Sequence, residues 1–185
     1  MSLSDLTIQA VEKKIMAESG PIPREEAEAW MQSDDLQILG LVVQAFVDYG
    51  DLERIEPRLD MQAVYDFLLR YYERCICEDP ECEWADGRYV VGLHIVPWYH
   101  GAPETGDEPR QEFLTRVKQL LARLYLEGDE DVHDAIVCGT LEHILEQPRW
   151  REFFKDWCDD PILRGAYDYA MEWSVEYEPE SDAQV

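Results

Sequence analysis

Cysteines and histidines are the residues of this chain whose types and spacing first suggest metal chemistry. Cys75, Cys77 and Cys82 lie close together, and His94 and His100 follow later in the chain. Three thiolates and an imidazole form a ligand set that zinc takes in tetrahedral sites. However, the C-x-C-x4-C spacing differs from paired C-x2-C knuckles, and Cys75 extends an apolar helical stripe. We therefore predict no metal and no cofactor, with Cys75, Cys77, Cys82 and His94 as the weak ligand candidates.

Cys138 and His143 are the candidates for nucleophilic catalysis. They are five residues apart, so on a helix their side chains diverge. Glu142 and Glu146 have the one-turn spacing of carboxylate metal sites in bundles, but the Glu-x-x-His pattern of partner helices is missing. No G-x-S-x-G, H-E-x-x-H, P-loop or G-x-G-x-x-G motif occurs. We predict a protein that is not an enzyme, with a carboxylate or Cys/His metal enzyme as an alternative.

Two acidic clusters are more specific features, and neither contains lysine or arginine. The first comprises Glu78, Asp79, Glu81, Glu83 and Asp86 around Trp84; the second comprises Glu127, Asp129, Glu130, Asp131 and Asp134. Carboxylates at helix starts complement the helix dipole, and solvated helix ends are the simpler explanation of either cluster alone. Together the clusters predict a partner-binding surface. Trp84, Trp98 and Tyr99 either add contact area there or belong to the core.

The net charge of the whole chain supports the interpretation of these clusters as a binding surface. There are 41 Asp and Glu residues against 16 Lys and Arg, a formal net charge of -25, yet 46% of the residues are hydrophobic. Disordered acidic chains lack such apolar content, so we expect a folded domain with its acid outside. That surface should repel nucleic acid and anionic lipid. We predict a basic protein partner, no direct nucleic-acid contact and no membrane association.

The cysteines, the lengths of the apolar runs and the first residues of the chain predict its cellular compartment. Five unevenly spread cysteines are typical of a reducing compartment. No apolar run reaches the length of a membrane span, and the first residues do not resemble a signal peptide. We therefore expect a cytoplasmic protein.

The elements that must position these residues are helices. Apolar residues recur with helical spacing along most of the chain. Asp60 is predicted to begin a long helix, and Asp129 and Asp160 are predicted N-caps. The stretch 87–100 is the least regular, and we favour a helix kinked at Pro97 over an extended segment. The pattern predicts an all-α fold, an irregular multi-helix bundle of about seven to nine helices. We expect a single helical domain over 1–175 with an internal loop at 101–108, followed by an acidic, frayed tail at 176–185.

The C-terminal third also resembles a known class of proteins. The residues concerned are Leu126-Glu127-Gly128-Asp129-Glu130-Asp131-Val132, then Gly139-Thr140-Leu141-Glu142, then Trp157, Asp160-Pro161, Ala166-Tyr167 and Trp173. They resemble small acidic all-helical bacterial immunity proteins of secreted, polymorphic toxin systems. The resemblance implies a non-enzymatic binder that covers the active site of a toxin, often a basic one. It carries over no functional residue.

Four functions remain open at this point. The first is an acidic module that neutralises a basic protein, with toxin immunity as its concrete form. The second is a nucleic-acid mimic that inhibits a DNA- or RNA-binding protein and needs carboxylates in a phosphate-like array. The third is the enzyme named above. The fourth is a salt-adapted domain whose charge serves solubility alone.

Overall fold

The architecture of the chain is all-α, as the sequence predicts. The structure, a computed structural model, describes residues 7–17, 20–48, 50–103 and 106–176. Within these ranges the extended structure is one parallel pair, β1 (Ile22–Pro23) beside β2 (Ile55–Glu56). Residues 177–185 of the expected tail lie outside the described ranges, and so do positions 104 and 105 of the expected loop.

The residues fall into two compact units, Met1–Gly87 and Arg88–Val185. The loop expected at 101–108 therefore lies inside the second unit, between two of its helices. The single domain expected over 1–175 stays a prediction.

The first unit is built on four α-helices. They are α1 (Ile8–Ile15), α2 (Arg24–Met31), α3 (Leu36–Val43) and α4 (Met61–Glu78). A π-helical turn, Gln44–Asp48, continues α3, and a 3-10 turn, Asp51–Arg54, precedes β2. The core of the unit contains the fully buried Trp30, Leu39, Phe46, Leu68 and Tyr72. The predicted start of α4 at Asp60 is confirmed, and the Asp60 carboxylate caps the helix by accepting a hydrogen bond from the backbone N of Gln62 at 3.1 Å.

The second unit contains the remaining helices of the described residues. They are α5 (Arg88–His100), α6 (Glu108–Glu127), α7 (Glu130–Ile136), α8 (Glu142–Ile144), α9 (Pro148–Phe153) and α10 (Pro161–Glu176). A π-helical turn, Val137–Leu141, joins α7 to α8, and a 3-10 turn, Lys155–Asp159, follows α9. The helix favoured over 87–100 is confirmed as α5, with Pro97 inside it.

Two predicted caps of the second unit are confirmed by their hydrogen bonds. Asp129 accepts one from the backbone N of Val132 at 3.1 Å, which begins α7. Asp160 accepts two at the start of α10, from Ile162 N at 2.8 Å and Leu163 N at 3.1 Å. Short carboxylates at these junctions therefore have a structural role, since they satisfy amide groups that have no partner within the helix.

Two glycines allow α5 to pack closely against the π-helical turn. A Cβ at Gly92 would lie 2.5 Å from the carbonyl O of Gly139, and a Cβ at Gly139 would lie 3.3 Å from the carbonyl O of Tyr89. The backbones of α5 and the π-helical turn are therefore in direct contact, and the side chains near Gly92 and Gly139 are positioned by both elements. A π-helical turn is a rare feature that is often found at functional sites.

None of the helices within the described ranges combines the length and the apolar content needed to cross a membrane.

Candidate protein-binding site

The cysteine group lies in and after α4, and of its three members only Cys75 takes part in packing. Cys75 is fully buried, and burial raises the pKa of its thiol to about 12, although a hydrogen bond with the Tyr71 hydroxyl acts in the opposite direction. A thiol with such a high pKa is a poor nucleophile at neutral pH. Cys77 and Cys82 are exposed, and all five cysteines are free thiols.

The metal candidates do not form a coordination group. His94 is half-buried on α5. The parts of the chain that the structure describes contain no group of three or more histidine, cysteine or acidic residues placed to hold a metal ion.

Cys138 and His143 have separate surroundings. Cys138 is half-buried, and its thiol pKa is raised by burial and by the nearby carboxylates of Glu142 and Asp134. The imidazole of His143 instead faces Glu142 and Glu146, with nitrogen-to-oxygen distances of 3.4 Å to each. A base that activated the thiol would lower its pKa, so this arrangement does not suit nucleophilic catalysis.

In the first acidic cluster, two carboxylates are engaged by the fold itself. Glu78 pairs with Arg74 one turn earlier on α4, with distances of 2.6 and 3.1 Å, and the hydrogen bonds from Arg74 lower the Glu78 pKa. Asp86 accepts a hydrogen bond from the Tyr71 hydroxyl at 2.7 Å, and its backbone N donates to that hydroxyl at 3.0 Å. These contacts tie the loop after α4 back onto the helix.

Of the remaining residues in the first cluster, two have structural roles and two are exposed to solvent. Asp79 has the left-handed conformation, φ 46°, that ends α4. Trp84 is half-buried. Its backbone carbonyl packs against Gly40 of α3 and accepts a hydrogen bond from Gln44 Nε2 at 3.3 Å. Glu81 and Glu83 are exposed to solvent.

The second acidic cluster leaves more of its charge exposed. Asp129 caps α7 and lies 4.0 Å from Arg88, and Glu127 pairs with Arg123 at 3.6 Å. Glu130, Asp131 and Asp134 are exposed on α7, and no lysine or arginine of the described residues forms an ion pair with them. This cluster therefore has three uncompensated carboxylates on one short helix.

α5 carries exposed apolar side chains that sequence reasoning missed, and one of them, Tyr89, lies near these carboxylates. Tyr89, Val90 and Leu93 are each about half exposed. Burial raises the pKa of Tyr89, and the nearby carboxylates of Asp134 and Asp131 raise it further, while Arg88 lowers it. No signal in the sequence separates these exposed side chains from the buried Val91 and Ile95 of the same apolar stretch.

Lysine and arginine side chains are used in both units to bind backbone carbonyls. Arg149, for example, donates to the carbonyl groups of Ala102, Tyr99 and His100 at the end of α5, at 2.7, 3.0 and 3.3 Å. The same type of contact is made by Arg24, Arg54, Arg70, Arg74, Arg110, Lys118, Arg151 and Arg164. Cations at helix C-termini offset the negative end of the dipole.

Two aromatic residues that the sequence left undecided belong largely to the core. Tyr99 is fully buried and donates a hydrogen bond to the Leu114 carbonyl at 2.8 Å. Trp98 is half-buried, packed edge-on against Phe113 and beneath the guanidinium of Arg110. Neither is a prominent surface anchor.

Comparison with known proteins adds no family to this description. No protein-family model, no curated protein and no solved structure matches the chain.

Proposed function

We propose that this protein is an acidic binding module that neutralises a basic protein partner. The observation that carries the proposal is the group of uncompensated carboxylates on α7, Glu130, Asp131 and Asp134. The chain has 41 Asp and Glu residues against 16 Lys and Arg, so its cations can offset only a minority of its acid. A surface of this kind attracts a cationic partner and speeds its association.

The most concrete form of this function is toxin immunity. The resemblance of the C-terminal third to acidic helical immunity proteins supports it, and α7 with its carboxylates lies within that third. Such a protein would act in the cytoplasm, covering the basic active site of a secreted toxin. The five free thiols suit a reducing compartment.

The experiment uses the protein encoded beside this one in its genome. A large secreted protein with a basic C-terminal domain is the expected neighbour, and co-expression of this chain should rescue cells from that domain. We expect the association rate of the purified pair to fall about tenfold or more as salt rises from about 50 mM to about 500 mM, because salt screens exposed charges.

A control at equal osmolality with sucrose separates charge screening from general solvent effects, and the rate should then change little. An association rate that ignores salt would contradict the proposal, as would a partner with a neutral contact surface. Competition for the partner by duplex DNA would instead favour the nucleic-acid mimic.

A further inference from the structure

The first half of α5 carries an apolar face that remains exposed in the second unit. Tyr89 and Val90 are each 47% exposed and Leu93 is 51% exposed, whereas Val91 and Ile95 on the opposite side are fully buried. Residues 89 and 93 are one turn apart and share one side of the helix. Large apolar side chains clustered in this way on a highly charged chain mark a contact surface.

Charge at the edge of this face defines its occupant. A side chain at Gly139 would meet the Tyr89 ring at Cδ1, 3.5 Å away, so the ring lies beside the turn that continues α7. Asp134 and Asp131 lie near enough to raise the pKa of Tyr89, and Asp134 also raises the pKa of Tyr125 on α6. The Tyr89 end of the apolar face is thus close to exposed carboxylates of α7.

We propose that this face, formed by Tyr89, Val90, Leu93, Asp131 and Asp134, docks an arginine-bearing segment of the basic partner. The guanidinium lies over the Tyr89 ring and pairs with the two carboxylates, and an apolar neighbour of that arginine covers Leu93 and Val90. Arginine fits because it stacks on aromatic rings and pairs with carboxylates through one planar group. This inference rests on the proposed function and names the surface that performs it.

Other occupants fit the charges less well. A second copy of the chain would bring the same carboxylates against each other, and such like-charge contacts are costly. The face is therefore specific for cationic segments.

The test uses the full-length protein and a short amidated peptide of alternating arginine and leucine, with binding measured by calorimetry at low salt. We expect Tyr89→Ala to weaken binding about tenfold, and the double variant Asp131→Asn, Asp134→Asn to weaken it at least as much. Tyr89→Phe keeps the ring and should bind within about twofold of the wild type. A lysine–leucine peptide should bind about fivefold more weakly, because lysine lacks the planar group.

Two control variants match these changes elsewhere on the chain. Tyr169→Ala removes a tyrosine that is equally exposed, at 47%, on α10. The double variant Asp168→Asn, Glu172→Gln removes two exposed charges that lie one turn apart on α10, outside both acidic clusters. Both controls should bind the peptide within about twofold of the wild type.

The outcomes separate this inference from the proposed function. If charge removal weakens binding equally on α7 and on α10, and Tyr89→Ala has no effect, the docking face is wrong and the acidic binding function stands. A wild-type protein that does not bind the peptide at low salt also overturns the docking face. The function is tested separately, by the rescue of cells on co-expression and by the salt dependence of the association rate. Circular dichroism of each variant shows that a weakened one is still folded.

Discussion

Replacing Gly92 with alanine should destabilise the second unit, although alanine is the better helix former. The added Cβ would lie 2.5 Å from the Gly139 carbonyl O and 2.5 Å from Thr140 Oγ1. Thr140 is buried and the carbonyl belongs to the backbone, so neither atom can turn away freely. A carbon and an oxygen normally approach no closer than about 3.3 Å, and the added Cβ would lie at 2.5 Å. The backbones of α5 and the π-helical turn must therefore separate by about 0.8 Å.

The size of the effect follows from two opposing terms. Overpacking a well-packed contact costs about 1–3 kcal/mol, whereas glycine to alanine within a helix gains about 0.5–1 kcal/mol. Because the added Cβ would meet two atoms at 2.5 Å, we take the upper part of the overpacking range, about 2–3 kcal/mol. The net expected change is then a loss of about 1–2.5 kcal/mol in the free energy of unfolding. With a urea slope of about 2 kcal/mol per molar, the unfolding midpoint should fall by about 0.5–1.2 M.

Urea unfolding followed by circular dichroism and tryptophan fluorescence measures this change. Two other glycines provide matched controls. Gly165 of α10 has nothing within 4 Å of an added Cβ, so Gly165→Ala should raise the midpoint. Gly139→Ala, with its nearest atom at 3.3 Å, should fall between the two. A Gly92→Ala protein as stable as the wild type would refute the close approach of α5 to the turn.

Two further predictions concern the hydrogen bonds of Arg149 and the ionisation of the buried Tyr99 and Cys75. Arg149→Met removes three hydrogen bonds to carbonyl groups at the end of α5 and should lower the free energy of unfolding by about 2 kcal/mol in a urea titration. Lys155→Met, which removes an exposed ion pair with Glu152, should change it by less than about 0.5 kcal/mol, and equal losses would contradict the structural role of Arg149. At alkaline pH, stability should fall, because burial raises the pKa of Tyr99 and raises that of Cys75 to about 12. These groups stay protonated in the folded state while the unfolded chain ionises, Cys75 above about pH 8.5 and Tyr99 above about pH 10. The contribution of each group is full below that pH and is lost above it, by about 1.4 kcal/mol per pH unit. Urea midpoints that stay constant from about pH 8 to about pH 11 would contradict this.

Local features of the fold could be predicted because their causes are local. Asp60, Asp129 and Asp160 begin helices where the sequence predicts helix starts, since a carboxylate needs only the amide groups two or three residues later. The helical spacing of apolar residues likewise predicted the all-α fold, including α5 with Pro97 inside it.

Features that depend on distant parts of the chain could not be predicted. Arg149 reaches the end of α5 across 47 to 50 residues, and no local pattern marks that contact. The π-helical turns after α3 and α7 also depend on packing, because local propensity favours a continuous α-helix there.

The candidate site shows the same division. The sequence identified two acidic clusters of similar composition, and only their surroundings distinguish them. In the first, Arg74 and Tyr71 engage Glu78 and Asp86, whereas in the second Asp131 and Asp134 stay exposed beside Tyr89.

The sequence by itself determined the net charge of -25 and the helical class, since both depend on composition and on residues close along the chain. Only the tertiary structure decided where that charge stays uncompensated. The physical reason is that a carboxylate is neutralised by whichever cation or hydroxyl folding places beside it. At Asp131 and Asp134, folding places the exposed ring of Tyr89 there instead.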